Sequence, residues 1–156
     1  MTKCSVDANI VIDILHGNAA GHRTPDEWGG ILELLDDLDK KRVVLVVPSA
    51  LFVELIPSHH APSAIANFFR VLQRENVEVV DLTVPVARRV ADIRDRSIAN
   101  GTKLKTLDAI YVATADFSRA DVLYTVDGKI LSNDGKLGVR TRFRRPKRRI
   151  MTLFPS

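Results

Sequence analysis

Apolar residues occur along the chain either in short continuous runs or in longer stretches with helical spacing. The short runs, rich in β-branched residues, predict strands at residues 3–6, 43–47, 77–80 and 121–126. The stretches between them predict helices over residues 10–15, 25–40, 50–56, 62–73, 84–99 and 107–117. This alternation is typical of an α/β fold with a central, mainly parallel sheet of four to five strands flanked by helices. The fifth strand is expected at the sheet edge, within residues 150–154.

Length and composition indicate one soluble domain spanning residues 1–156. No apolar run approaches the roughly 20 residues that span a bilayer, so no membrane association is expected. The N-terminal apolar stretch is broken by Asp7 and Asp13, unlike the core of a signal peptide. The single cysteine, Cys4, excludes an internal disulfide. We therefore expect a cytoplasmic protein.

Positive charge is concentrated near the end of the chain. The formal net charge is +4, but residues 140–149 alone contain seven Lys and Arg and no acid. Without them, 16 basic residues face 19 acidic ones, which leaves the rest of the chain at −3. This basic C-terminal segment, residues 140–149, suggests a polyanionic partner.

Four acidic residues lie where a parallel sheet presents ligand-binding side chains. Asp7 and Asp127 directly follow predicted strands, and ligands bind beyond the carboxyl ends of such strands. Glu54 interrupts an apolar helix, where an unpaired carboxylate is costly to bury, and Asp108 begins another. Taken singly, Asp7 and Asp108 are more often helix caps or first-turn acids than functional residues, and Asp127 followed by Gly128 is a common turn.

The four acids together suggest a divalent cation. Clustered carboxylates repel one another and raise each other's pKa unless a cation lies between them. A set of oxygen ligands suits Mg²⁺ or Mn²⁺. The sequence thus favours a metal site built from Asp7, Glu54, Asp108 and Asp127.

The segments that contain these acids resemble the four signature segments of PIN domains, in the same order and at similar separations. They are residues 6–12, 53–55, 107–115 and 124–127, and the resemblance covers about residues 3–131. It is closest to the VapC-type toxins of toxin-antitoxin pairs. The residues Gly128 and Lys129 after the fourth acid, and the long basic ending, depart from the usual pattern.

The resemblance implies an endoribonuclease that binds one or two Mg²⁺ or Mn²⁺ ions through the four acids. It further implies that Asn9 and Thr125 support the site, that the protein forms a homodimer, and that a small antitoxin inhibits it by inserting a basic side chain. In this interpretation Asp7 and Asp108 are the principal ligands. Glu54 is a ligand or the general base and Asp127 binds a second or weaker metal, although these last two roles can be exchanged.

Cations near the acids are expected to hold the RNA phosphates. The candidates are Lys103, Lys105, Lys129, Arg142, Arg144 and Arg145, with Phe143 available for stacking on a base. Solvated loop charge explains the lysines equally well. For the arginines, an unspecific soluble tail or an antitoxin contact is the alternative.

Other functions fit the residues less well. His59 and His60 lack the cysteines or the helical spacing of a zinc site. Asp7-Ala8-Asn9 lacks the second aspartate of haloacid-dehalogenase-like phosphatases, and Asp7 also lacks the neighbouring acids of a receiver domain. The remaining alternative is a non-catalytic RNA-binding or partner-binding module, in which the acids are structural.

Overall fold

The computed structural model describes residues 1–17, 22–55 and 62–149. Its strands are β1 (Thr2–Val6), β2 (Val43–Pro48), β3 (Val77–Val80), β4 (Val122–Tyr124) and β5 (Arg142–Arg144). Its helices are α1 (Ala8–His16), α2 (Pro25–Asp39), α3 (Phe52–Leu55), α4 (Pro62–Leu72), α5 (Val84–Ala99), α6 (Thr106–Phe117) and α7 (Gly128–Ser132), with a 3₁₀ turn at Ser49–Leu51 before α3. The described ranges contain no helix whose length and apolar character would let it traverse a bilayer.

The five strands form one sheet in the order β3-β2-β1-β4-β5, and every neighbouring pair is parallel. The predicted α/β class and four predicted strands are confirmed. The fifth strand is Arg142–Arg144, whereas residues 150–154, where it was expected, lie outside the described residues. Because all strands run the same way, their carboxyl ends meet at one edge of the sheet.

Helices cover both faces of the sheet. Leu123 and Phe143 pack with apolar residues of α5 and α6 on one face. On the other face, Val6 and Val47 pack with residues of α1, α2 and α4. The sheet is therefore buried on both sides, as its continuous apolar runs predicted.

The expectation that Phe143 stacks on a nucleobase is wrong. Phe143 is 1% exposed and belongs to the core beneath α5 and α6. It lies in β5 between two exposed arginines, since successive side chains of a strand point to opposite faces. The alternation Arg-Phe-Arg was the sequence signal for this strand.

After β5 the chain folds back onto α2. We call residues 145–149 the C-terminal strap. Arg145 forms an ion pair with Glu27, and Arg149 pairs with both Glu33 and Asp37. The backbone of Lys147 lies directly over Gly30 of α2. Three acids of this helix therefore face the strap through these ion pairs.

Candidate metal centre

Asp7 lies at the carboxyl end of β1, where it forms the N-cap of α1. Its Oδ1 accepts a hydrogen bond from the backbone N–H of Ile10 (3.1 Å), and its Oδ2 accepts one from the hydroxyl of Thr125 (2.5 Å). Although it is charged at neutral pH in water, its side chain is buried, with only 3% of the residue exposed. Burial is the main cause that raises its pKa to about 6, and the carboxylates of Asp127 and Asp108 raise it further.

Thr125 connects Asp7 with Asp127. Besides donating to Asp7, its Oγ1 accepts a hydrogen bond from the backbone N–H of Asp127 (3.0 Å). Asp127 in turn caps α7, because its Oδ1 accepts from the backbone N–H groups of Lys129 (2.8 Å) and Ile130 (3.1 Å). The family resemblance implied a supporting role for Thr125, and its side chain lies fully buried and hydrogen-bonded to both Asp7 and the backbone of Asp127.

Asp108 lies in the first turn of α6 and is partly buried. Burial is the largest cause that raises its pKa, and the charges of Asp127 and Glu54 raise it further. Lys105 acts in the opposite direction on the same carboxyl group. The charge of Asp108 also raises the pKa of Asp7. Asp108 therefore interacts electrostatically with three other acids, Asp7, Glu54 and Asp127, which lie on three different elements.

Glu54 has a hydrogen-bond partner, Tyr111, that was not among the predicted site residues. The Tyr111 hydroxyl donates a hydrogen bond to Oε2 of Glu54. Tyr111 is 2% exposed, and burial together with the negative charges of Glu54, Asp7 and Asp108 raises its pKa. Its position three residues after Asp108, on the same face of α6, was the available signal.

The acids thus lie at the carboxyl edge of the sheet, near enough for the charges of Asp127 and Asp108 to raise the pKa of Asp7, and for those of Asp127 and Glu54 to raise the pKa of Asp108. The chemistry of the donor set fits Mg²⁺ or Mn²⁺. All candidate ligands are carboxylate oxygens, the type that these hard cations prefer. Within the described ranges, no three acid, histidine or cysteine side chains lie within joint reach of one ion as they stand. Two of the acids hydrogen-bond to Thr125 and Tyr111 instead.

The other predicted site residues lie around this edge at varying distance. Asn9 is exposed in the first turn of α1, and Lys103, Lys105 and Lys129 are exposed beside α6 and α7. The remaining three predicted RNA contacts form ion pairs: Arg142 and Arg144 with Asp134, and Arg145 with Glu27. His59 and His60 lie outside the described residues.

Comparison with known proteins agrees with this architecture. The PIN domain model matches residues 5–136. Among proteins with curated descriptions, none matches the chain.

Several solved structures share the fold at low sequence identity. VapBC2 from Rickettsia felis, bound to a DNA fragment from its promoter, matches with a TM-score of 0.64 at 16% identity, over 91% of this chain and 98% of that one. DNA-bound VapBC from Salmonella typhimurium matches with a TM-score of 0.62 at 21% identity, over 92% and 98%. FitAcB from Neisseria gonorrhoeae matches with a TM-score of 0.58 at 18% identity, over 89% and 96%.

The family model covers most of the chain, including all four strand-end and helix-start acids. The chain belongs to the PIN domain family.

Proposed function

We propose that this protein is an Mg²⁺- or Mn²⁺-dependent endoribonuclease and the toxin of a type II toxin-antitoxin pair. The observation that carries the proposal is Asp7: a buried carboxyl group whose pKa is raised to about 6, partly by Asp127 and Asp108. Such a cluster of like charges destabilises the fold when it is left uncompensated. A divalent cation bound there would remove the repulsion, and PIN-family membership makes nuclease activity the natural use of that cation.

The roles proposed for the acids follow from their surroundings. Asp7 and Asp108 are proposed as the principal ligands, because burial and neighbouring carboxylates raise the pKa of both and a bound cation would offset this. Asp127 binds a second or weaker ion, and Glu54 is a ligand or the general base that takes a proton from water. When bound, the metal supplies an activated water molecule and neutralises charge on the phosphate. Thr125 fixes Asp7, and Asn9 is proposed to orient ligands or water from α1.

RNA is proposed to reach the acids along a basic margin. Lys105 and Lys103 precede α6, and Lys129 begins α7 directly after Asp127. Within the part of the chain that the structure describes, none of these lysines forms an ion pair. The arginines 142, 144 and 145 are proposed as weaker contacts because each already faces a carboxylate.

Two protein partners are proposed: a second copy of the chain and a small antitoxin. The support for the antitoxin is the likeness of the fold to chains from VapBC complexes. A cytoplasmic location is also proposed, because the RNA substrate and the antitoxin would be found there.

The test is cleavage of mixed cellular RNA by the purified protein with Mg²⁺ or Mn²⁺, and with EDTA. Asp108→Asn keeps the size and polarity of the side chain but removes its charge. Even residues that only support a metal ligand typically cost 10- to 100-fold in activity when replaced, so we expect this variant to lower cleavage by at least about tenfold. The matched control is Asp95→Asn, an exposed change on α5, which should cut like the wild type.

Equal cutting by wild type and Asp108→Asn would expose a contaminating nuclease. Salt-sensitive RNA binding without cutting or metal binding would overturn the proposal and favour the non-catalytic binding module.

A further inference from the structure

We propose that Tyr111 is a positioning residue that holds Glu54 in place at the metal centre, an inference that rests on the proposed function. The direct observation is the hydrogen bond from its hydroxyl to Oε2 of Glu54. The phenol ring is buried in the core with residues of α1 and α2. Its hydroxyl nevertheless reaches the acids at the edge of the sheet.

Glu54 needs such support because its carboxylate has no backbone donor among the described residues. It lies in α3 (Phe52–Leu55), after a three-residue 3₁₀ turn. Within the described ranges, the Tyr111 hydroxyl is the group that donates a hydrogen bond to it. Asp7 and Asp127, by contrast, are fixed by the backbone N–H groups of the helices that they cap.

Helix α6 is a firmer base than α3. Residues 109–115 of α6 are buried without exception, and the helix contacts β1, β2, β4, α5 and the 3₁₀ turn. Asp108 and Tyr111 are one turn apart on this helix. One rigid helix therefore provides one acid directly and fixes a second acid through the tyrosine.

A tyrosine hydroxyl suits this position chemically. It donates a strong hydrogen bond to a carboxylate while carrying no charge of its own at neutral pH. A lysine or arginine here would compete with the cation for the acids. The Tyr111 hydroxyl donates to Oε2, and within the described residues no donor bonds to Oε1 of Glu54, which is the atom proposed to face a metal ion or a water molecule.

The test is Mn²⁺ binding by isothermal titration calorimetry to the full chain carrying Tyr111→Phe. This change removes the hydroxyl and keeps the buried ring. Losing a residue that orients a ligand typically weakens metal affinity 10- to 100-fold, so we expect the Kd for Mn²⁺ to rise by at least about tenfold. The matched control is Tyr124→Phe, at the other tyrosine of the chain. Tyr124 lies in β4 and packs with Leu34 and Leu38 of α2. This variant should bind Mn²⁺ like the wild type.

A double-mutant cycle with Glu54→Ala separates positioning from a general structural role. If Tyr111 acts through Glu54, Tyr111→Phe changes the Mn²⁺ Kd little once Glu54 is absent. Equal effects in both backgrounds, or unchanged Mn²⁺ affinity of Tyr111→Phe alone, would overturn the assignment while leaving the nuclease proposal intact. Absence of Mn²⁺ binding by the wild type would overturn both.

A second measurement uses unsubstituted Tyr111, so it does not depend on the folding of a variant at this position. Addition of Mg²⁺ should change the near-ultraviolet absorbance of tyrosine in the wild type and in Tyr124→Phe, and should not do so in Glu54→Ala. A change that persists in Glu54→Ala would overturn the proposal.

Discussion

The charge on Asp7 works against folding when no cation is bound. Its carboxyl group is 3% exposed, and its pKa rises from 3.8 to about 6 in the folded protein. Between about pH 4 and 6 the native state therefore binds more protons at this group than the unfolded chain does. The contribution of this group to the free energy of unfolding is therefore largest at low pH. It falls as the pH rises through that window, and it stays low at higher pH.

Asp7→Asn should consequently stabilise the metal-free protein at pH 8. Two pKa units correspond to about 3 kcal/mol, and asparagine is as good an N-cap as aspartate. We expect a free energy of unfolding higher by roughly 1–3 kcal/mol at pH 8, with the difference vanishing near pH 4. Urea denaturation in EDTA at both pH values measures this difference.

The exposed change Asp95→Asn serves as the control and should alter stability little at either pH. Mg²⁺ should raise the Tm of the wild type but not that of Asp7→Asn, since a ligand stabilises only the state that binds it. An Asp7→Asn protein less stable than the wild type at pH 8 would show that the charge at position 7 is compensated within the chain.

The positions of the acids could be predicted from sequence, whereas their hydrogen-bond partners mostly could not. Asp7 and Asp127 follow strands, and a parallel sheet brings such residues to one edge. Thr125 was found only through the family resemblance. The contact between Tyr111 and Glu54 joins residues 57 apart in the chain, and it depends on how α3 is placed against α6.

At the scale of the elements, α2 was predicted correctly as a helix, but the sequence alone does not explain the two glycines in its interior. Gly29 and Gly30 lie in its interior, where each glycine costs about 1 kcal/mol relative to alanine. The structure gives the reason at Gly30: a Cβ there would lie 2.2 Å from the backbone nitrogen of Lys147. At this point the strap lies so close to α2 that only a glycine fits without a shift of the backbone.

The two glycines provide a matched pair of substitutions. Gly30→Ala forces the strap backbone away from α2, so we expect a net loss of roughly 1–2 kcal/mol despite the better helix propensity. At Gly29 the three atoms nearest to an added Cβ all belong to the guanidinium group of Arg148, the first at 2.5 Å, and this flexible side chain can move. Gly29→Ala should therefore be neutral or stabilising by up to about 1 kcal/mol.

Thermal unfolding of both variants compares them directly. For a chain of this size, 1 kcal/mol shifts the Tm by about 2–4 °C. Equal stabilisation by Gly29→Ala and Gly30→Ala would mean that the strap does not pack against α2.

At the scale of the whole molecule, the structure changes the interpretation of the basic C-terminal segment. Its excess charge suggested that it binds RNA, but its arginines form five ion pairs within the protein. Three of these pairs join acids more than 100 residues away: Arg145–Glu27, Arg149–Glu33 and Arg149–Asp37. The other two, Arg142–Asp134 and Arg144–Asp134, join an acid in the preceding loop. The partners on α2 are Glu27, Glu33 and Asp37. The folded structure shows that the basic C-terminal segment and the acids of α2 compensate each other's charge.

This compensation leads to a prediction about RNA binding. An arginine that leaves Asp134 or Glu27 for a phosphate exposes that carboxylate to the RNA, so little net positive charge is gained. A lysine without an ion-pair partner contributes its full charge. For single-stranded RNA, each phosphate contact adds about 0.7 to the slope of log K against log salt concentration.

Replacing Lys103, Lys105 and Lys129 together by glutamine should therefore reduce this slope by about 2, whereas replacing Arg142, Arg144 and Arg145 should reduce it by less than about 1. Fluorescence anisotropy with labelled single-stranded RNA in EDTA measures binding without cleavage. The arginine variant should instead lose thermal stability, because β5 and the strap lose contacts to Asp134 and Glu27. Equal slopes for the two triple variants, with unchanged stability of the arginine variant, would show that the basic segment binds RNA as its composition first suggested.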